Sequence, residues 1–129
     1  MRNNCTILLV EDDKVDVMTV QRAFRDLNLT NPLAVAGNGE EALAYLRDPG
    51  NEHPCIILLD LNMPKMNGVA TLRELRSRQV TTPVVLCSGY HEPDLVAGVE
   101  APAMQPLVTL QKPYSLEALA RALNEVLDR

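Results

Sequence analysis

The chain has 129 residues, 47% of them hydrophobic, and a formal net charge of −5. That length suits one domain, able to bury roughly two-thirds of the surface its unfolded form exposes. An acidic balance with scattered Lys and Arg, no Trp and a single Phe excludes both the basic, aromatic surface of a nucleic-acid binder and the polybasic patch of a membrane binder.

Thr6-Ile7-Leu8-Leu9-Val10 is a short apolar run of the kind found in a strand covered on both faces, and Glu11-Asp12-Asp13 ends it. From Asp16 the period changes. Val17, Val20, Phe24 and Leu27 mark one face of an amphipathic helix that fades at Asn28. Leu33 to Ala36 is a second strand. Asn38, with Glu41 three residues on, is a capping-box start for a helix that buries Ala42, Leu43 and Leu46 and ends near Asp48-Pro49-Gly50. Cys55 to Leu59 is the third strand and delivers Asp60, after which Pro64 and Asn67-Gly68 open a loop. An Asp at the mouth of a core strand is unfavourable unless something pairs with it.

Asn67 caps the next helix, in which Val69, Leu72 and Leu75 face inward while Arg73, Glu74, Arg76 and Arg78 form a solvated face. Val84 to Cys87 is the fourth strand, closed by Ser88-Gly89. Pro93, Leu95, Val96 and Val99 outline a fourth helix that Gly98, Pro102 and Pro106 keep short. Leu107 to Leu110 is the fifth strand, ended by Lys112-Pro113. Ser115 caps a last helix with Leu116, Leu119, Ala120, Leu123 and Val126 on one face. Cys5, Cys55 and Cys87 have no CxxC spacing and read as small buried hydrophobes kept reduced. His53 and His91 read as solvated loop residues.

Five apolar strands alternating with five helical patterns predict an α/β fold, a doubly wound parallel sheet with right-handed crossovers. Ligands in such sheets bind beyond the carboxyl ends of the strands. Glu11 and Asp12, Asp60, Ser88 and Lys112 all fall at that edge. Three carboxylates together repel one another unless a cation joins them, and oxygen donors without His or thiolate select Mg²⁺ or Mn²⁺. Lys112 adds a point charge and Ser88 a donor. Asp is itself a nucleophile toward phosphorus. Glu11 and Asp12 taken alone also suit a helix N-terminus.

The order Glu11-Asp12, Asp60-Leu61-Asn62-Met63-Pro64 with Gly68, Ser88-Gly89 and Lys112-Pro113-Tyr114 resembles the receiver domain of two-component response regulators, over essentially the whole chain. The opening acids and the Asp60 segment are similar to stand-alone receivers of phytochrome-type kinases. Leu86 to Tyr90 and Leu110 to Pro113 are similar to receivers attached to hybrid kinases. The resemblance implies a flavodoxin-like (βα)5 fold with strand order 2-1-3-4-5, and a single receiver domain over residues 1–129 with no output domain. It also implies a phosphoprotein, and with no apolar run approaching the roughly 18 residues of a membrane span the chain reads as a soluble cytoplasmic protein. Asp60 would accept phosphate from a sensor histidine kinase. Asp12 and the backbone carbonyl of Asn62 would bind Mg²⁺ beside Asp60, with Glu11 acting mostly through water. Ser88 and Lys112 would hold the phosphoryl oxygens. Partners would be that kinase, a His-containing phosphotransfer or target protein, and a second copy through the fourth helix, fifth strand and last helix. The family usually has an aromatic gate three positions before the Lys, where this chain has Thr109. Two other readings are a degenerate receiver that only binds partners and a Mg²⁺-dependent phosphatase. The phosphatase needs a second Asp where Asn62 stands.

Overall fold

The computed structural model describes residues 5–60, 68–80, 82–88, 107–111 and 115–127. Five strands, β1 (Ile7–Val10), β2 (Leu33–Ala36), β3 (Ile56–Asp60), β4 (Val84–Ser88) and β5 (Leu107–Gln111), form one sheet of order 2-1-3-4-5. Every pairing is parallel. The described helices are α1 (Lys14–Asp26), α2 (Gly39–Arg47), α3 (Gly68–Ser77) and a C-terminal α4 (Leu116–Leu127). The helix expected around Pro93 to Val99 and the Asn67 cap of α3 lie outside the described residues. No helix among the described residues is long and apolar enough to cross a membrane.

Successive strand side chains point to opposite faces, and each face has its own core. Leu8, Val10, Ile57, Leu59, Val84 and Leu86 pack with Ala42 and Leu43 of α2 and Leu72 and Leu75 of α3. On the other face Ile7, Leu9, Ile56, Leu58, Val85, Cys87 and Leu110 meet Val20, Ala23 and Phe24 of α1 and Leu119, Ala122 and Leu123 of α4. This double cover explains why β1, and β3 as far as Leu59, are unbroken apolar runs rather than alternating ones.

The helix ends follow local chemistry. Asp13 caps α1 by accepting from the Val15 N–H at 2.8 Å, so the helix begins two residues before the expected Asp16. Asn38 accepts from the Glu41 N–H at 2.9 Å, while Glu41 reaches back to the Gly37 N–H at 3.0 Å and to the Asn38 amide at 3.1 Å. Ser115 Oγ accepts from the Ala118 N–H at 3.1 Å. After α3, Gln79 takes a left-handed φ of 63°. There the Val80 N–H donates to Leu75 and the Gln79 N–H to Arg76, a Schellman closure that ordinarily uses Gly.

Two expectations are corrected. Arg76 does not belong to the solvated face of α3. It is half-buried, and Nη1 donates to the carbonyls of Val80 at 2.8 Å and Thr82 at 2.9 Å. Burial pulls its guanidinium below the usual arginine range. Cys5 and Cys55 are disulfide-bonded rather than separate reduced thiols, because the parallel β1–β3 register brings the two strand entries together. His53 is an exposed loop residue, as expected, with its ring Nε2 2.9 Å from the Thr82 hydroxyl. His91 lies outside the described residues.

A side chain in the left-handed region is disfavoured by roughly 1 kcal/mol relative to Gly. Gln79→Gly should therefore raise the melting temperature by about 4 °C in thermal denaturation followed by circular dichroism.

Candidate functional site

β1 delivers two of the acidic groups. The Glu11 N–H donates to the Ala36 carbonyl at 2.9 Å, extending the β1–β2 ladder one residue past Val10. Glu11 consequently stays inside, 4% exposed, and its Oε2 accepts from the Asp13 N–H at 3.3 Å. Asp13 is committed to capping α1. Asp12, between them, is exposed.

β3 delivers the third. Val10 pairs with Leu59, so the next residue of each strand, Glu11 and Asp60, reaches the carboxyl edge side by side. Asp60 is 6% exposed. Carboxylate oxygens of Glu11, Asp12 and Asp60 all lie within 4.8 Å of one another. For the two buried members, like charges at that separation oppose each other by about 3 kcal/mol at an effective dielectric near 20.

That donor set fits a hard cation. Oxygens bound directly to one Mg²⁺, at about 2.1 Å from the metal, stand roughly 3 to 4 Å apart. Donor atoms gathered within 4.8 Å are close enough for one cation to engage them together. A hard cation held by these carboxylates would supply positive charge at the edge where an anionic group could approach.

The other expected site residues divide in two. Asp60 pairs with Cys87 across β3 and β4, which leaves Ser88, the last residue of β4, one step further toward the same edge, opposite Gln111 of β5. Asn62 and Lys112 lie outside the described residues. Thr109 is on β5, opposite Leu86. Asp13 has a part that the sequence reading did not assign to it: it caps α1 and gives Glu11 a backbone donor. Its signal was an Asx residue one position before a helical run.

A family model for the response regulator receiver domain matches residues 7–124. The chain is 37% identical over 123 residues to the transcriptional regulatory protein CpxR of Klebsiella pneumoniae, covering 95% of this chain and 49% of that protein. It is 35% identical over 101 residues to response regulator Rcp1 of Synechocystis, covering 73% of this chain and 69% of Rcp1. Among solved structures, the bacteriophytochrome response regulator AtBRR superposes with a TM-score of 0.81 at 28% identity, covering 97% of this chain and 94% of the other. The chain spans 49%, 13% and 53% of the lengths of three curated relatives, CpxR, the sensor kinase CckA of Brucella abortus and the C4-dicarboxylate regulator DctR of Bacillus subtilis. With the parallel fold, the acidic edge and a family match over most of its length, the chain belongs to the response regulator receiver family, the signalling domains of two-component phosphorelays that partner with sensor histidine kinases.

Proposed function

We propose that Asp60 is the phosphoacceptor of this receiver, taking a phosphoryl group from a phosphohistidine of a sensor histidine kinase. The observation that carries this reading is the gathering of the Glu11, Asp12 and Asp60 carboxylates within 4.8 Å at the carboxyl edge of the sheet. One Asp60 oxygen attacks phosphorus, the phosphorus–nitrogen bond breaks, and the imidazole leaves with its electron pair, giving an acyl phosphate. The transition state is loose and rich in charge, so positioning and charge compensation are most of the catalysis.

Asp12 and the backbone carbonyl of Asn62 would hold Mg²⁺ directly, and Glu11 would act mostly through water. Bound Mg²⁺ supplies the positive charge that lets a phosphoryl group approach three carboxylates. The Ser88 hydroxyl donates to a phosphoryl oxygen and Lys112 pairs with another. Asn62, standing where a hydrolytic enzyme of this kind needs a second Asp, supports a domain that holds its phosphate rather than one that turns over substrate.

The output runs through protein contact in the cytoplasm. The likeness to bacteriophytochrome response regulators supports a phytochrome-type kinase as donor, ahead of a hybrid kinase. A His-containing phosphotransfer protein or a second copy of the chain are the receiving partners we favour. Self-association through the segment after β4, β5 and α4 would be the phosphorylation-dependent step. Thr109 is too small to act as an aromatic gate, so the relay outward is separable from acceptance.

Incubation with acetyl phosphate and Mg²⁺, read by intact mass, should add one phosphoryl group to the wild type and none to Asp60→Asn or to protein in excess chelator. Equal labelling of Asp60→Asn and wild type would remove Asp60 from the assignment. Removing one buried like charge should also raise the melting temperature of Asp60→Asn above wild type by several degrees in chelator, with the gap narrowing as Mg²⁺ is added. Thr109→Phe should change partner affinity or self-association, measured by sedimentation, while leaving the phosphorylation yield unchanged.

A further inference from the structure

The edge of the sheet opposite Asp60 carries a second reactive pair. Cys5 precedes β1 by two residues and Cys55 precedes β3 by one, and their Cα atoms are 5.9 Å apart, well inside the span a disulfide bridges. The backbone prepares the contact, since the Cys55 N–H donates to the Thr6 carbonyl at 2.9 Å and continues the β1–β3 ladder backward from Ile7 and Ile56. Both cysteines are partly exposed, so a small reagent can reach them, and both pack on the core shared by α1 and α4.

The surroundings also suit the reduced pair. Cys55 Sγ lies 3.4 Å from the Thr6 carbonyl, an acceptor for a thiol proton. The buried Asn31 amide donates to the Cys5 carbonyl at 2.9 Å and sits 3.4 Å from Cys5 Sγ, holding that sulfur beside the entry of β3. Cys87 lies buried on β4, outside the bond.

We propose that Cys5 and Cys55 are a reversible thiol–disulfide site that reacts with low-molecular-weight disulfides of the glutathione class. The Cys5 thiolate attacks one sulfur of the external disulfide and expels one thiolate. Cys55, deprotonated, then attacks Cys5 Sγ in the mixed disulfide and expels the second. The protein loses two electrons and two protons, and one external disulfide becomes two thiols. The product ties the entries of β1 and β3 across a sequence separation of 50 residues, a loop that contains β1, α1, β2 and α2. Closing it restricts the unfolded chain and stabilises the fold, at the end of the strands remote from the acidic cluster.

The test equilibrates the intact protein in buffers of reduced or oxidised glutathione, followed by acid quench, denaturation, alkylation with N-ethylmaleimide and intact-mass measurement. The expected result is one adduct after the oxidised buffer and three after the reduced buffer, interconverting when the buffers are exchanged. The oxidised wild type should melt about 10 °C above the reduced form, and Cys5→Ser and Cys55→Ser should show no such dependence on the buffer. Three adducts in both buffers, a stable glutathione mixed disulfide as end product, or a single adduct that persists in reduced glutathione would each overturn the proposal. Because the readout on wild type needs no variant, poor folding of either serine variant leaves it decisive. Loss of the acceptor assignment at Asp60 would leave this site unaffected.

Discussion

Glu11 and Asp60 meet because β1 and β3 run parallel with Val10 opposite Leu59, so that the next residue of each strand arrives at the carboxyl edge together. Two charged carboxylates in that position repel each other by about 3 kcal/mol at an effective dielectric near 20. The strands that carry them contribute in the other direction. Ile7, Leu8, Val10, Ile56, Ile57 and Leu59 are all fully buried, each worth roughly 1.5–3 kcal/mol relative to exposure. An apolar sheet centre of this depth tolerates a charge conflict at its rim, and the conflict leaves the rim ready for a cation.

The sheet consequently has two ends with different chemistry. At the carboxyl end the chain leaves β1 and β3 with acids, and Asp13 turns the first of these exits into a helix start while its N–H supports Glu11. At the amino end the same two strands enter beside each other, and there the adjacency brings two sulfurs together instead of two carboxylates. One register therefore accounts for both sites. A slip of one residue between β1 and β3 would remove both together, and with them the division of side chains between the two cores.

Much of this was legible in the residues. The apolar runs located five strands, the period of Val20 and Phe24 located α1, and Asn38 with Glu41 marked the start of α2. The rule that ligands gather beyond the strand carboxyl ends points to Glu11, Asp12 and Asp60 from their positions alone. What escaped had no local signal. Cys5 and Cys55 are joined by strand pairing across a long sequence separation, and no spacing motif encodes that. Arg76 has the same neighbours in sequence as a solvated Arg, and only the return of the chain at Val80 and Thr82 gives it carbonyls to hold. α1 starts ahead of its apolar period because Lys14 and Val15 are exposed rather than core residues, so the helical period becomes visible about one turn after the cap.

The Arg76 guanidinium makes α3 a strut pinned at one end. Its two hydrogen bonds fasten the last turn of the helix to the chain that leads into β4, the strand that ends in Ser88. The other end of α3 begins at Gly68, eight residues after Asp60. The last turn of α3 and the approach to β4 are therefore joined as one hydrogen-bonded unit, tied to the strand that ends at the acidic edge.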